Sequence, residues 1–253
     1  MKETDFSTIA DHYDNNHYRV KELEKDTTLK AHITKQKKEK YEVLDLSCGT
    51  GLYLAKQVPL FHDSRVRWTG LDASEAMLEK AKEKLGSIQL VHGCAESMPF
   101  ESDKFDYIVN NYSFHHYQDK ERALDEITRI LTTNGLYKMH NMAIHAMPKW
   151  WVYHYFPQAY VEDVQRFWHH DEIYEALKKR GLEVQLHVDY RRQEVTVSDY
   201  LPHAENRDIS VLTLISDDVY EKGLNKMKQE VKEDPLLTIP HEFAELFLTA
   251  KRR

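Results

Sequence analysis

Several things are scarce in this chain, and each scarcity removes a class of protein. Only two cysteines, Cys48 and Cys94, occur in 253 residues, too few for a disulfide framework. No apolar run approaches the roughly 20 residues needed to span a bilayer, so no membrane partner is expected. Basic residues are not in excess: 35 Lys and Arg stand against 42 Asp and Glu, a net charge of −7. A general nucleic-acid binder needs a basic surface for phosphates, so nucleic acid is not an expected partner either. The first residues are charged rather than signal-like, and the expectation is a soluble cytoplasmic protein. Glycine is limited to eight residues, which gives weight to the one place where two nearly meet, Gly49 and Gly51.

Those glycines close the stretch VLDLSCGTG, residues 43–51, in which an apolar run broken by Asp45 enters a tight turn and a helical pattern follows. Strand, glycine turn and helix together present backbone N–H groups and a helix N-terminus to a nucleotide-like ligand. A dinucleotide fingerprint needs a third glycine, but that position is Leu54, and no Lys-Ser/Thr follows as a phosphate loop requires. Asp45 and Ser47 place oxygen acceptors at the turn, where a carboxylate repels a pyrophosphate and suits a cation. The pattern favours a cationic adenosine ligand over a dinucleotide.

With these residues the sequence resembles the class I S-adenosylmethionine (SAM) dependent methyltransferases, in particular the small-molecule branch that includes the ubiquinone and menaquinone biosynthesis enzymes. The resemblance runs from about Phe6 to Leu131 and more loosely beyond. It implies SAM as methyl donor, S-adenosylhomocysteine as product and a small-molecule acceptor. It also implies that the N-terminal FSTIADHYDNNHY segment folds over the cofactor, with Tyr13 near its methionine end and Tyr18 and Arg19 on the substrate side or at the SAM carboxylate. In the family the loop that here reads GCAESMPF carries an acid for the adenine amino group where this chain has Cys94, so Glu96 or a backbone group is the substitute.

The rest of the chain reads as alternating strands and helices. Val66 to Leu71 forms a second strand ending at Asp72, an acid about twenty positions past the glycines and suited to a ribose diol. Thr50, Ala73, Met77 and Ala95 complete the expected cofactor lining, with Asn111 and Tyr112 at the end of the fourth strand, FDYIVNNY. Parallel sheets place ligands beyond the C-terminal ends of their strands, so His115, His116 and His140 are the candidate general bases. KERALDEITRILTTNG reads as an amphipathic helix stopped by Gly135, and Leu52–Gln57 as a helix ending before Pro59. Residues 24–40 read as a solvated helix, and both cysteines as small buried hydrophobes.

Three Trp and several Tyr and Phe crowd MPKWWVYHYFPQAYVEDVQRFWHH. This segment reads as a lid over an apolar or aromatic acceptor, with Trp150, Trp151 and Tyr155 facing the substrate. An oligomer interface is the rival reading, so monomer and homodimer both stay open. About fifty residues separate the sixth strand, LEVQLHVDY, from the last, HEFAELFLTAK. Their helical pattern suggests a second cap, in which Tyr200 faces the substrate. Metal is not expected, because no HExxH or Cys-His cluster occurs and the adjacent pairs His115–His116 and His169–His170 should point apart unless the backbone bends.

The expected fold is α/β and Rossmann-like, with a seven-stranded sheet whose last strand is antiparallel, N-terminal helices and helical cap insertions. Its expected parts are an N-terminal cover at 1–40, a SAM-binding core at 41–145, an aromatic lid at 146–169, core again at 170–190, a helical cap at 191–238 and the last strand at 239–253. The expected activity is in-line methyl transfer to an O, N or C atom of a small, apolar or aromatic metabolite. A SAM-binding protein that transfers no methyl group, or that assists a rearrangement, is the alternative. An RNA methyltransferase is a more distant one.

Overall fold

The computed structural model describes residues 24–253. Its elements in order are α1 (Thr27–Gln36), β1 (Tyr41–Leu46), α2 (Leu52–Phe61), β2 (Val66–Asp72), α3 (Glu75–Leu85), β3 (Gln89–His92), β4 (Phe105–Asn111), α4 (Lys120–Ile130) and β5 (Leu131–Met142). They continue with α5 (Trp151–Tyr155), α6 (Pro157–Arg166), α7 (His170–Lys179), β6 (Leu182–Thr196), α8 (Val197–Glu205), α9 (Asp217–Glu233) and β7 (Thr238–Arg252). The strands form one seven-stranded sheet in the order β3-β2-β1-β4-β5-β7-β6. Strands β1 to β5 pair in parallel and the last strand is antiparallel, as the sequence pattern predicts. The order reverses on either side of β1, and the gap between β1 and β4 is the switch point at which such sheets bind ligands.

The chain divides into two compact units. One holds the described residues up to Asn141, with Asp171–Leu186 and Phe247–Arg253. Its core gathers Val43, Leu54, Ala81, Leu85, Tyr107 and Val109 around β1, with Leu29 and Ile33 of α1. Helix α1 is therefore not merely solvated: Leu29 and Ile33, four residues apart, bury one face. Its N-cap is Asp26, whose Oδ1 accepts from the Leu29 N–H at 3.0 Å and whose Oδ2 accepts from the hydroxyls of Tyr53 and Tyr107 at 2.8 and 3.0 Å.

The other unit comprises Met142–His170 and His187–Leu246. Trp150, Trp151, Val152, Tyr153, Tyr155 and Phe156 are all buried there, with Leu212, Leu224 and Met227. Helix α9 passes so close that a Cβ at Gly223 would lie 2.5 Å from the Tyr155 carbonyl and 2.6 Å from the Phe156 ring. A glycine inside a helix costs about 1 kcal/mol relative to alanine, and here it permits that approach.

Several local expectations need correction. Gly135 does not stop α4, which ends at Ile130; the chain turns extended at Leu131 and Gly135 lies inside β5. A Cβ at Gly135 would meet the Thr132 carbonyl at 2.7 Å, so the glycine serves a close backbone approach within the strand. Helix α2 carries Pro59 inside its last turn and runs on to Phe61. Cys48 is buried, but Cys94 is exposed, because a short antiparallel bridge between Cys94 and Ser97 leaves it in a surface turn.

Candidate cofactor and catalytic site

β1 delivers Asp45 into the sheet interior and then breaks into the loop 47–51. Ser47 leaves the strand with φ +61°, Gly49 has φ +53°, and Gly51, with φ +78°, begins α2. A left-handed serine is strained, and such strain tends to be retained at functional sites. The loop is held by Asp72 at the end of β2, whose Oδ2 accepts from the Gly49 N–H at 2.7 Å and whose Oδ1 accepts from the Ser74 N–H at 2.9 Å. Ser74 then caps α3 by accepting from the Met77 N–H. Asp72 therefore joins the glycine loop to the start of α3.

Asp45 is the electrostatic centre of this corner. It is 2% exposed, and its Oδ2 has no hydrogen-bond partner among the described residues. Burial, and then the nearby Asp72 carboxylate, push its carboxyl up to about 8. Asp72 is also raised by burial, although the N–H groups of Ser74, Gly49 and Ala73 pull the other way. Two acidic side chains at one loop, one of them with an oxygen that accepts no hydrogen bond among the described residues, make a site that a cation would relieve.

The remaining residues assigned to the cofactor fall on the same unit. Thr50 is buried, and its carbonyl accepts from Lys84 at 2.8 Å. Ala73 is exposed, whereas Met77 is buried in the core at 1% exposure. In the loop after β3, Ala95 is buried and Cys94 exposed. The Glu96 carboxylate is committed to the start of α4, accepting from the N–H of Gln118 at 2.9 Å and more weakly from that of Asp119. Asn111 and Tyr112 lie at the end of β4, and Tyr112 adopts φ +51°. Tyr13, Tyr18 and Arg19 lie outside the described residues.

Of the candidate bases, His115 and His116 stand in the turn beyond β4, and His140 lies within β5, two residues before its end. His115 is 5% exposed, and its Nδ1 lies 3.2 Å from the Asn141 Oδ1. A carboxamide oxygen only accepts, so this contact places the proton of a neutral ring on Nδ1 and the lone pair on Nε2. His116 lies beside it with ring centroids 4.0 Å apart, because both sit in the tight turn Phe114–His116. A bent backbone is the condition under which adjacent histidines need not diverge, and this turn supplies it. His140 pairs through Nε2 with the Tyr112 hydroxyl at 3.0 Å and stacks on Phe247 at 4.3 Å. Of the residues assigned to substrate, Trp150, Trp151 and Tyr155 lie in the interior of the other unit, where Trp151 packs on Tyr200 at 5.4 Å and the Tyr155 hydroxyl donates to Glu230.

One network was missed by sequence reasoning. The Asn110 Nδ2 lies within hydrogen-bond distance of the Leu46 carbonyl, the Ser113 Oγ and the Tyr117 hydroxyl, and that hydroxyl is 2.9 Å from the Ser47 Oγ. The Asn110 Oδ1 is a second buried acceptor with no partner among the described residues. Burial pushes the Tyr117 phenol up, so it stays protonated. The available clue was an asparagine inside an otherwise apolar strand, since an amide there must be buried for a reason. The network ties the β1 loop to the β4 loop across the switch point.

Residues 43–135 match the family described as methyltransferase domain. Over 143 residues the chain is 35% identical to the demethylmenaquinone methyltransferase of Staphylococcus haemolyticus, an overlap of 53% of this chain and 57% of that protein. The chain thus spans a little over half of that relative's length. Among solved structures, a putative methyltransferase from an antibiotic biosynthesis pathway of Anabaena variabilis superposes with a TM-score of 0.67 at 19% identity, covering 89% of this chain and 97% of that one. The cyclase SpnF superposes with a TM-score of 0.54 at 18% identity, covering 90% and 81%. At those identities the likeness concerns the fold. Residues 43–135 thus match a methyltransferase domain, and the sheet that continues beyond them has the fold of solved methyltransferase structures.

Proposed function

We propose that this protein transfers the methyl group of SAM to a small apolar or aromatic acceptor. The observation that carries the reading is the buried, unpartnered Oδ2 of Asp45 beside Asp72 at the glycine loop. Two neighbouring acidic side chains in a dry corner, one of which holds its proton until a cation draws near, suit a ligand with an ammonium and a sulfonium and oppose a pyrophosphate. The residues fit that ligand: Asp72 for the ribose diol, the loop from Ser47 to Gly51 for the methionine end, and the β3 to α4 loop with Cys94, Ala95 and Glu96 for the adenine.

When bound, SAM supplies an electrophilic methyl group and departs as S-adenosylhomocysteine. The chain's own residues align the acceptor, exclude water and take up a proton. His115 is suited to the last task, because Asn141 fixes its ring through Nδ1 and an imidazole can accept a proton from an acceptor hydroxyl or amine near neutral pH. His140, tied to Tyr112, and His116 are the neighbouring alternatives. The acceptor class rests on the resemblance to a demethylmenaquinone methyltransferase, whose name specifies an aromatic quinoid substrate.

The test is isotope-labelled SAM with a panel of phenols, quinols and amines. Labelled product together with S-adenosylhomocysteine is the expected result. His115→Gln should lower the single-turnover rate about 10²- to 10⁴-fold while leaving SAM affinity within about twofold. An undiminished rate in that variant removes His115 as the base. SAM that binds but is never consumed would favour the alternative of a SAM-assisted rearrangement, and a cyclase does share this fold.

A further inference from the structure

The adjacent pair His169–His170 was expected to diverge. The structure brings the two rings to 4.0 Å between centroids with a 33° tilt. The cause is a change of backbone at the boundary: Phe167 leaves α6 extended (φ −90°, ψ 122°), and His170 is the first residue of α7. His169 therefore lies outside the helix and His170 inside it, so the usual divergence of neighbouring side chains does not apply. The next residue, Asp171, joins them, and one ligand atom from each of His169, His170 and Asp171 lies within 4.8 Å of the others.

A fourth group stands alongside. The His145 ring is 5.3 Å from that of His169, and the His145 Nε2 lies 3.2 Å from the Phe167 carbonyl. A carbonyl only accepts, so Nε2 carries the proton and the neutral ring keeps its lone pair on Nδ1. An imidazole fixed by an N–H to a backbone carbonyl is the usual support of a metal-bound histidine.

We propose that His169, His170 and Asp171, with His145 beside them, form a binding site for a divalent transition-metal ion of the zinc type. Imidazole nitrogens with one carboxylate suit zinc, nickel or copper(II), whereas magnesium and calcium prefer sites made of oxygens. Zinc binds such groups at about 2.0–2.2 Å, so donors within 4.8 Å of one another need only small side-chain rotations to converge on one ion. The histidines are half-buried and Asp171 is exposed, so an ion can reach them without opening the core. This site is independent of the methyl-transfer reading.

The experiment is titration of the full-length, metal-stripped protein with Co²⁺ and Zn²⁺ alone. One equivalent should bind, with the visible absorption of cobalt in a nitrogen-rich site, and Zn²⁺ in a chelator competition should displace it. His169→Ala and His170→Gln should each weaken Zn²⁺ at least tenfold, Asp171→Asn should weaken it less, and His115→Ala should leave it unchanged. Zn²⁺ should raise the Tm of the parent protein but not of His169→Ala/His170→Gln, so loss of binding can be separated from loss of fold. Absence of stoichiometric binding would overturn the proposal. So would undiminished binding in the double variant, or a loss produced by His115→Ala instead.

Discussion

In the unit built on β1 to β5, the buried groups near the strand ends are carboxylates, an amide and phenols, and two of their oxygens, Asp45 Oδ2 and Asn110 Oδ1, have no partner among the described residues. In the unit formed by Met142–His170 and His187–Leu246, the buried groups are mostly rings packed on one another: Trp150 meets Tyr153 edge-on at 5.1 Å, Tyr153 meets Tyr160 at 5.0 Å, and Phe156 stacks on Tyr220 at 5.8 Å. Arg166 there leaves its buried Nε and Nη1 without a partner among the described residues, but its Nη2 is paired with Asp163. Unsatisfied buried polar atoms are costly and are tolerated where a ligand completes them. Satisfied aromatic contacts stabilise a core and need nothing further. The orphan oxygens Asp45 Oδ2 and Asn110 Oδ1 lie near the strand ends at the switch point, whereas the second unit is built mainly by ring packing. Much of the aromatic content that sequence inspection assigns to substrate binding is spent on the second unit's own packing.

The sharpest way to break this contrast is at Trp151, which is 2% exposed. If it is scaffold, Trp151→Ala should cost about 3–5 kcal/mol in urea denaturation, while the protein that remains folded binds SAM within about twofold of the parent. A loss below about 1 kcal/mol accompanied by loss of acceptor turnover would return Trp151 to the substrate surface, where its sequence context had placed it.

A second effect is expected at Asp45, and its sign is specific. Its pKa is raised from 3.8 to about 8 in the folded chain, so the folded state holds the proton more tightly than the unfolded state does. Its contribution to stability is therefore fully present below about pH 4 and is lost as pH rises toward 8, by at most about 1.4 kcal/mol per unit. A cationic ligand favours the ionised carboxylate, so SAM affinity should rise with pH between about 5.5 and 7.5, by at most about tenfold per unit. Asp45→Asn should flatten that profile, weaken SAM and make the ligand-free protein more resistant to urea at pH 8. If Asp45→Asn binds SAM with the parent's affinity and pH profile, the orphan oxygen is not part of the cofactor site.

These contrasts also explain what was legible before the structure. The glycine turn, Asp72 and the alternation of strands and helices up to β5 could be read because backbone geometry dictates them. Gly49 and Gly51 occupy positive φ, and Asp72 caps and clamps at a strand end. The stop at Gly135 was misread because a glycine that ends a helix and one that lets a strand pass a carbonyl look alike in sequence. The Asn110–Tyr117–Ser47 network was invisible for a different reason, since it joins residues far apart in the chain with no fixed spacing. The pairing of His169 with His170 depends on a helix boundary, which sequence patterns locate only to within a residue or two.

The smallest expected effect tests the one departure from the family's motif. Cys94 is exposed and stands where the related methyltransferases carry an acid for the adenine amino group. Glu96 is a poor substitute, because its carboxylate already accepts the N–H of Gln118 at 2.9 Å and holds the start of α4. Cys94→Asp should therefore create a contact that the parent makes weakly, and one added hydrogen bond of about 0.5–1.5 kcal/mol corresponds to roughly a twofold to tenfold gain in SAM affinity. Calorimetry with S-adenosylhomocysteine and with its inosine analogue, which lacks the amino group, isolates the effect. A gain for the first and none for the second places the adenine edge at residue 94. Equal gains for both would mean that the added charge acts on the ligand's cationic end through space. No gain for either would mean that the adenine amino group is held elsewhere, and that the loss of the family's acid at this position cost the protein nothing.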